Sequence, residues 1–477
     1  MENIKFQEKV SIKSKLWLSI GDSSCAVLYQ LICSGALSYY FTKYLGLSEA
    51  LAGTAWIIFG IWNAINDPIF GYISDKTKSK IGRRIPYIRY GAIFYSIIFI
   101  FTWLKWPFGG SNGVLFVQML ISLFLFDTVY TAIATSLYVM PFEMAVSNKA
   151  RSGIFIWKII FSIVPLSVPL ILVPMIKPEV GESATTFRII MAIIGVVAFV
   201  LVFISTFFYK EKGYAAKEEQ PPFFKAIAQC FKNRAFIVFE VMAFTLTFAS
   251  TILMQGVAYY FDEFNISMLW CYVSLGIGAI GSMVFWLTQR DKIGLKNCLY
   301  VYCVSFALAA GMMTFFGGVF AIAIVCFVLF GIGATGGYYL IPLMNGDVID
   351  FDESLTGLRR EGMYAGVNSL VTKPAISLAN ASFLWIIAKM GYNKTLTAGL
   401  QSVQAEKGIL VAWMAISFIM FIICIVIMHW YKLNGSKWNE TKRNLEIIHN
   451  QKEKENIKAV FGNKASEVDS NVEEKDK

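Results

Sequence analysis

Positions 62 to 75 read Trp-Asn-Ala-Ile-Asn-Asp-Pro-Ile-Phe-Gly-Tyr-Ile-Ser-Asp, a polar cluster inside an otherwise apolar stretch. Asn63, Asn66 and Asp67 stand at i, i+3 and i+4, so on a helix they share one face. A carboxylate inside a bilayer span is costly unless it faces a water-filled cavity, a partner or an ion. The cluster therefore points to transport. A structural reading stands beside it, in which Asp67 steadies the Asp-Pro kink and satisfies backbone groups freed by Pro68. Asp22 and Asp127 are further embedded acids, and Lys158 and Lys373 are embedded bases. Each acid can pair with a lysine across the bundle, and buried pairs of that kind serve gating or registry more than net stability. Lys158 lies near its helix start and can snorkel along its stem; Lys373 is deeper.

The elements that must position these groups are long apolar helices. The chain has 56% apolar and 16% charged residues, against roughly 25% charged in an average soluble domain. Its mean hydropathy is +0.58. Apolar runs of about 20 residues, enough to cross a hydrocarbon core about 30 Å thick, recur about twelve times. They fall at 16–42, 49–73, 87–105, 114–140, 152–176, 187–209, 235–261, 267–288, 298–317, 319–344, 364–388 and 408–431. The runs are too long for tilted barrel strands and do not alternate, so the fold class is an all-α membrane protein.

The hydrophilic stretch 210–234, with Glu218-Glu219-Gln220-Pro221-Pro222, divides the spans evenly. It reads as a linker between two pseudo-symmetric halves of six helices, 16–209 and 235–431, flanked by tails 1–15 and 432–477. Repeated halves with a solute bound between them near midplane are a recurrent transporter plan. Lys13, Lys15, Lys76 to Arg84, Lys149, Arg151, Arg290 to Lys296 and Arg359-Arg360 fall on one side of the membrane. By the positive-inside rule that side, with both termini, is cytoplasmic, and the protein is a multi-pass cell-membrane protein.

The net charge of +10 is spread over membrane-flanking loops without one aromatic-laced patch, so it serves topology and contact with membrane lipid, and no nucleic-acid partner is expected. The eight cysteines show no CxxC spacing, and the two histidines, His429 and His449, lie at or beyond the last span. No metal site, histidine relay or catalytic triad is expected in the bundle, and the chain does not read as an enzyme. The glycines at 331, 333, 336 and 337 are not followed by a Gly-Lys-Ser/Thr sequence, which argues against ATP-driven transport; with Gly276, Gly278 and Gly281 they suit close helix approach or bending.

The loop Gly71-Tyr72-Ile73-Ser74-Asp75-Lys76-Thr77-Lys78-Ser79-Lys80-Ile81-Gly82-Arg83-Arg84-Ile85-Pro86-Tyr87 resembles the major facilitator loop signature in the lengthened form of the glycoside-pentoside-hexuronide:cation symporters. Further landmarks of that family follow in order: Gly21-Asp22, Asp127-Thr128-Val129-Tyr130-Thr131 with Glu143, the run from Asn345 to Glu353 leading to Gly362, and Lys373. The resemblance implies the major facilitator fold and symport of a sugar, glycoside or uronide with a proton or sodium by alternating access, by a monomer without a cofactor. It also implies a cation site at Asn63, Asn66 and Asp67. There Asn63 replaces the usual first aspartate, leaving one carboxylate in the pattern. A lone carboxylate suits a proton better than a dehydrated sodium ion.

The implied solute site takes Tyr130, Thr131, Tyr138, Asp22, Asp127, Lys158 and Lys373, with Ala134 where sugar-carrying relatives place an aspartate. The exchange suggests an anionic glycoside. Tyr29, Trp157, Tyr338, Tyr339, Tyr364 and Trp385 are additional stacking candidates. Asp75, Arg83, Arg84, Glu143, Arg151, Asp347, Asp350, Arg359 and Arg360 form the implied inner-face ion-pair network that holds an outward-open state. An amphiphile such as a lysophospholipid as solute, or an uncoupled or non-transporting relic of the fold, remain as alternative readings.

Overall fold

The computed structural model describes residues 10–455 apart from 34, 78, 108–109, 146–147, 177–182, 212–229, 358–360, 446 and 453–454. Eleven helical segments among them are long and apolar enough to cross a membrane. The first half comprises α1 (Ile12–Cys33), α2 (Ala36–Tyr39), α3 (Glu49–Lys76), α4 (Ile85–Thr102), α5 (Asn112–Met144), α6 (Asn148–Phe161), α7 (Ile163–Ile176) and α8 (Thr185–Ser205). The second comprises α9 (Arg234–Glu263), α10 (Met268–Ile293), α11 (Leu295–Phe316), α12 (Phe320–Thr356), α13 (Glu361–Lys389), α14 (Val403–Leu410) and α15 (Ile416–Ile427). The span with the polar cluster is the 28-residue α3. The fold is an all-helical bundle of two halves, with exposed apolar side chains such as Ile97, Ile193, Ile280 and Ile419 facing outward where lipid would lie.

Two expected single spans are interrupted, each for a backbone reason. The first stops at Cys33 and resumes after Gly35, whose φ of +98° is readily adopted only by glycine. The fifth breaks at Ser162 between α6 and α7, just before Pro165. Proline lacks an N–H, so the carbonyl four residues earlier loses its helical partner. In this bundle the freed carbonyls are used. Phe161 O, four before Pro165, accepts from Ser23 Oγ of α1 at 2.9 Å. Leu170 O, four before Pro174, accepts from Tyr272 of α10. Leu137 O, four before Pro141, accepts from Lys158 Nζ at 3.4 Å. The tenth expected span runs on to Thr356 before Gly357, with φ +70°, caps it by donating to Glu353 O at 2.7 Å.

Close approach of α10 and α12 depends on two of the glycines singled out above. A Cβ on Gly278 would lie 2.1 Å from Val328 O, and one on Gly331 would lie 2.2 Å from Leu275 O. Nothing lies within 4 Å of such an atom at Gly276 or Gly281.

The halves meet along α3 and α13, with α7 and α2 against α9. Among the described residues, several hydrogen bonds across this seam lie at the end of the bundle opposite the termini. There Trp385 Nε1 donates to Ala50 O at 3.1 Å, Asn380 Nδ2 to Cys33 O at 3.0 Å, and Lys394 Nζ to Gly46 O at 2.7 Å. Tyr39 Oη donates to Asp262 at 2.9 Å across the same seam.

Candidate functional site

Following the seam inward from that closed end leads to the polar cluster. Lys373 of α13 donates to Asp67 Oδ1 of α3 and, at 3.3 Å, to Asn66 Oδ1. Asn66 Nδ2 in turn donates to Asp127 of α5. One chain of contacts thus joins three spans and both halves. The Lys373 and Asp67 side chains are 15% and 21% exposed, so the pair is poorly screened.

Around this chain several buried polar atoms have no hydrogen-bond partner in the protein: Asn63 Oδ1 and Nδ2, Asp127 Oδ1 and Thr131 Oγ1. Asn63 is fully buried and Asp127 and Thr131 are 1% exposed. Each such orphaned group costs on the order of 1–3 kcal/mol, so a cluster of them marks a place where the fold gives up stability for something else. The charge count drawn from sequence needs correction here. Asp127, read as a solute-site residue, stands beside Asn66, so the cluster holds two carboxylates and the argument from a lone acid fails.

The second embedded lysine is also held. Lys158 Nζ lies 3.3 Å from Asp22 Oδ2, besides its bond to Leu137 O. Both embedded lysines are thus paired with acids, as the reading of buried pairs across the bundle allows, although Lys373 meets Asp67. Ala134 itself is half-buried, one turn before Tyr138, which is 56% exposed. Tyr130 is engaged in packing, stacked on Tyr29 at 4.0 Å between ring centroids. Tyr364 is fully buried against Phe236, and the Trp385 indole is spent on the inter-half seam.

Of the implied gate network, Arg83 pairs with Glu143 at 2.7 Å within the first half. Asp347 pairs with Lys442 at 2.6 Å and accepts from Trp438 Nε1 at 3.2 Å within the second. Arg151 Nε donates to Ala145 O at 2.9 Å. Arg84 is buried and Asp350 is partly buried. Arg359, Arg360 and the side chain of Asp75 lie outside the described residues. The pairs made by Arg83, Glu143 and Asp347 therefore do not bridge the halves as a lock on an outward-open state would require, and the bridging contacts given above lie at the opposite end.

Two structural features escaped sequence reasoning. Glu211, in the stretch read as linker, accepts from the backbone N–H groups of Arg83, Arg84 and Ile85 at 2.7 to 2.8 Å, holding a negative charge on the N-terminus of α4. A Cβ on Gly82 would fall 2.4 Å from Glu211 Oε1, which explains the loop glycine. The other is where the tail docks. The charged stretch 440–458, with Leu445, Ile447 and Ile448, suggests a short helix, and the tail is helical over 435–445 and 447–452. Its spacing did not show that His449 Nε2 would lie 2.7 Å from Glu353 Oε2.

Comparison with known proteins agrees with this architecture. The uncharacterized symporter YnaJ of Bacillus subtilis is 24% identical over 93% of this chain and 96% of its own. The isoprimeverose transporter of Lactiplantibacillus pentosus is 22% identical over 87% and 88%. Among solved structures, the xylose transporter XylE from E. coli superposes with a TM-score of 0.60 at 14% identity, covering 89% of this chain and 96% of that one, a likeness of fold. The profile of the MFS/sugar transport protein family matches residues 19–435, from within the first span to beyond the last, and the chain belongs to that family.

Proposed function

We propose that the protein is a cation-coupled symporter of a sugar or glycoside in the cell membrane, working by alternating access with both termini cytoplasmic. The observation that carries this reading is the chain Lys373–Asp67/Asn66–Asp127. It places the acids suited to a coupling cation on one half and ties them to the other half through a lysine, so a change of charge at the site alters the contact between the moving parts. Names of relatives support the solute class: one is an isoprimeverose transporter and another a glucuronide carrier homolog. With the termini cytoplasmic, a seam closed at the opposite end corresponds to an inward-facing arrangement.

The reading is tested by uptake of labelled glycosides into proteoliposomes. Accumulation should collapse when ionophores dissipate the cation gradients, while counterflow persists. No uptake and no counterflow with any sugar would remove it and leave an amphiphile as solute or a non-transporting relic of the fold.

The charge of the solute gives a sharper prediction. Because Asp22 holds Lys158 and Asp67 holds Lys373, a neutral glycoside should compete for uptake at least as well as its matched uronide. Asp22→Asn releases Lys158 and should shift preference toward the uronide by about tenfold. A lysine about 4 Å from a carboxylate contributes up to about 4 kcal/mol of gross attraction at an effective dielectric near 20, most of it offset by desolvation. A strong uronide preference in the unmodified protein would show that a lysine leaves its acid to meet the solute.

A further inference from the structure

We propose that Glu263 is a proton-binding site that latches the outer end of the bundle, taking up a proton as that end shuts and losing it as the end opens. The inference rests on the alternating-access reading, in which the seam at this end parts. Glu263 is the last residue of α9 and is 6% exposed. Its Oε2 accepts from the N–H of Gly399 at 3.0 Å, and its buried Oε1 has no hydrogen-bond partner among the described residues.

Three effects disfavour a charge there. Burial withdraws the carboxylate from water, and nothing replaces the hydration of Oε1. The C-terminus of a helix carries partial negative charge, which repels an anion. Asp262, the preceding residue, adds a second carboxyl beside the first.

Against these stand two lysines, each reaching across the seam. Lys43 of the first half lies over the Tyr392 ring of the second, 4.8 Å from its centroid. Lys394 of the second donates to the carbonyls of Gly46 and Leu47 of the first at 2.7 and 3.0 Å. Both lysines bear on Glu49 at the start of α3, and Lys43 bears on Glu263 as well. Glu49 is 9% exposed and also has an unpartnered Oε1. Three acids thus share two ammonium groups. Their other titratable neighbours are hydroxyls: Tyr39, which donates to Asp262, and Tyr259 and Tyr392, which stand against each other.

One proton makes this cluster neutral. Glu263 is where it fits, because Glu49 has the positive end of a helix beside it and Asp262 has a hydroxyl donor. When the halves part, Lys43, Tyr39 and Glu49 leave with the first half, and water reaches Glu263. The shut end therefore binds more protons than the open one, so low pH favours the shut arrangement and high pH the open one.

The test needs no solute. Maleimide labelling of purified protein carrying Ser377→Cys in the seam is followed from about pH 6 to about pH 8.5. Each rate is divided by that of the same protein unfolded at the same pH, which removes the thiol's own titration. With Glu263 in place the normalised rate should rise about tenfold across this range, one proton being able to shift an equilibrium tenfold per pH unit. In Glu263→Gln, which keeps the shape of the protonated acid, it should stay flat and low. Lys43→Met removes the cation that favours ionised Glu263 and should displace the rise upward by about one pH unit, a shift that misfolding cannot mimic.

A flat profile with Glu263 in place, a rise that persists in Glu263→Gln, or a rate that falls as pH increases would each overturn the proposal. Glycoside uptake alongside a flat profile would remove the latch and leave the symport reading standing. A Glu263-dependent rise in a protein that takes up no glycoside would do the reverse.

Discussion

Lys373→Met is expected to abolish concentrative uptake and to lower stability by about 3 kcal/mol. Lys373 is the α13 cation bonded to both Asp67 and Asn66, and its side chain and that of Asp67 are mostly shielded from water. Removing one partner of a buried pair leaves the other charge uncompensated, which typically costs about 3–5 kcal/mol; partial exposure favours the lower end. The functional loss follows separately, because the substitution cuts the tie that carries a change of charge on α3 to the second half. The two effects can be told apart with a second substitution. Asp67→Asn in the Lys373→Met background removes the stranded charge and should recover the melting temperature, while accumulation against a gradient stays absent and counterflow continues. Wild-type accumulation by Lys373→Met would take the ion pair out of the mechanism.

The second large effect is expected at the closed seam. A Cβ on Gly53 of α3 would lie 2.7 Å from Trp385 Nε1 and 3.2 Å from Ala381 O, and the indole is held in place by its bond to Ala50 O. Gly53→Leu therefore wedges α3 from α13. Overpacking of this kind costs about 1–3 kcal/mol, and here the cost falls only on the state in which this seam is shut. The balance should move toward the arrangement open at that end by roughly 5- to 150-fold, at about 1.4 kcal/mol per tenfold. The eight native cysteines are all buried, so a single reporter cysteine can be read without a cysteine-free background. Thiol labelling at Ser377→Cys, in the seam, should accelerate in the Gly53→Leu protein, and labelling at Tyr138→Cys should slow. Gly113→Ala, where nothing lies within 4 Å of the added atom, should leave both rates unchanged. Unaltered labelling at Ser377→Cys in Gly53→Leu would mean that the seam yields locally and does not gate access.

Much of the candidate site was legible in the chain because its signals are local. Asn63, Asn66 and Asp67 share a face through helical spacing alone, and Lys373 stands out because a charge in an apolar span is conspicuous wherever it points. The partners were not legible. Asp127 was visible as an embedded acid, yet nothing in its spacing could say that it would meet Asn66. Lys158 looked like a residue able to snorkel, and only the approach of α1 and the carbonyl freed by Pro141 show why it stays inside. Glu211 had no signal beyond being an acid a short way past an apolar run, and its role depends on α4 beginning beside it.

The sequence by itself determined that the chain is a bundle of membrane-spanning helices, where almost every span begins and ends, and which of them carry ionisable groups. Those properties follow from segment length and hydropathy, which act on each stretch independently of the others. The tertiary structure decided which charge neutralises which, that a carboxylate on the facing helix stands beside the polar face on which position 63 lacks one, and which side chains tie the halves together. These depend on contacts between residues hundreds of positions apart. A side chain's charge is fixed by its type, but the charge it leaves uncompensated is fixed by what the fold sets against it.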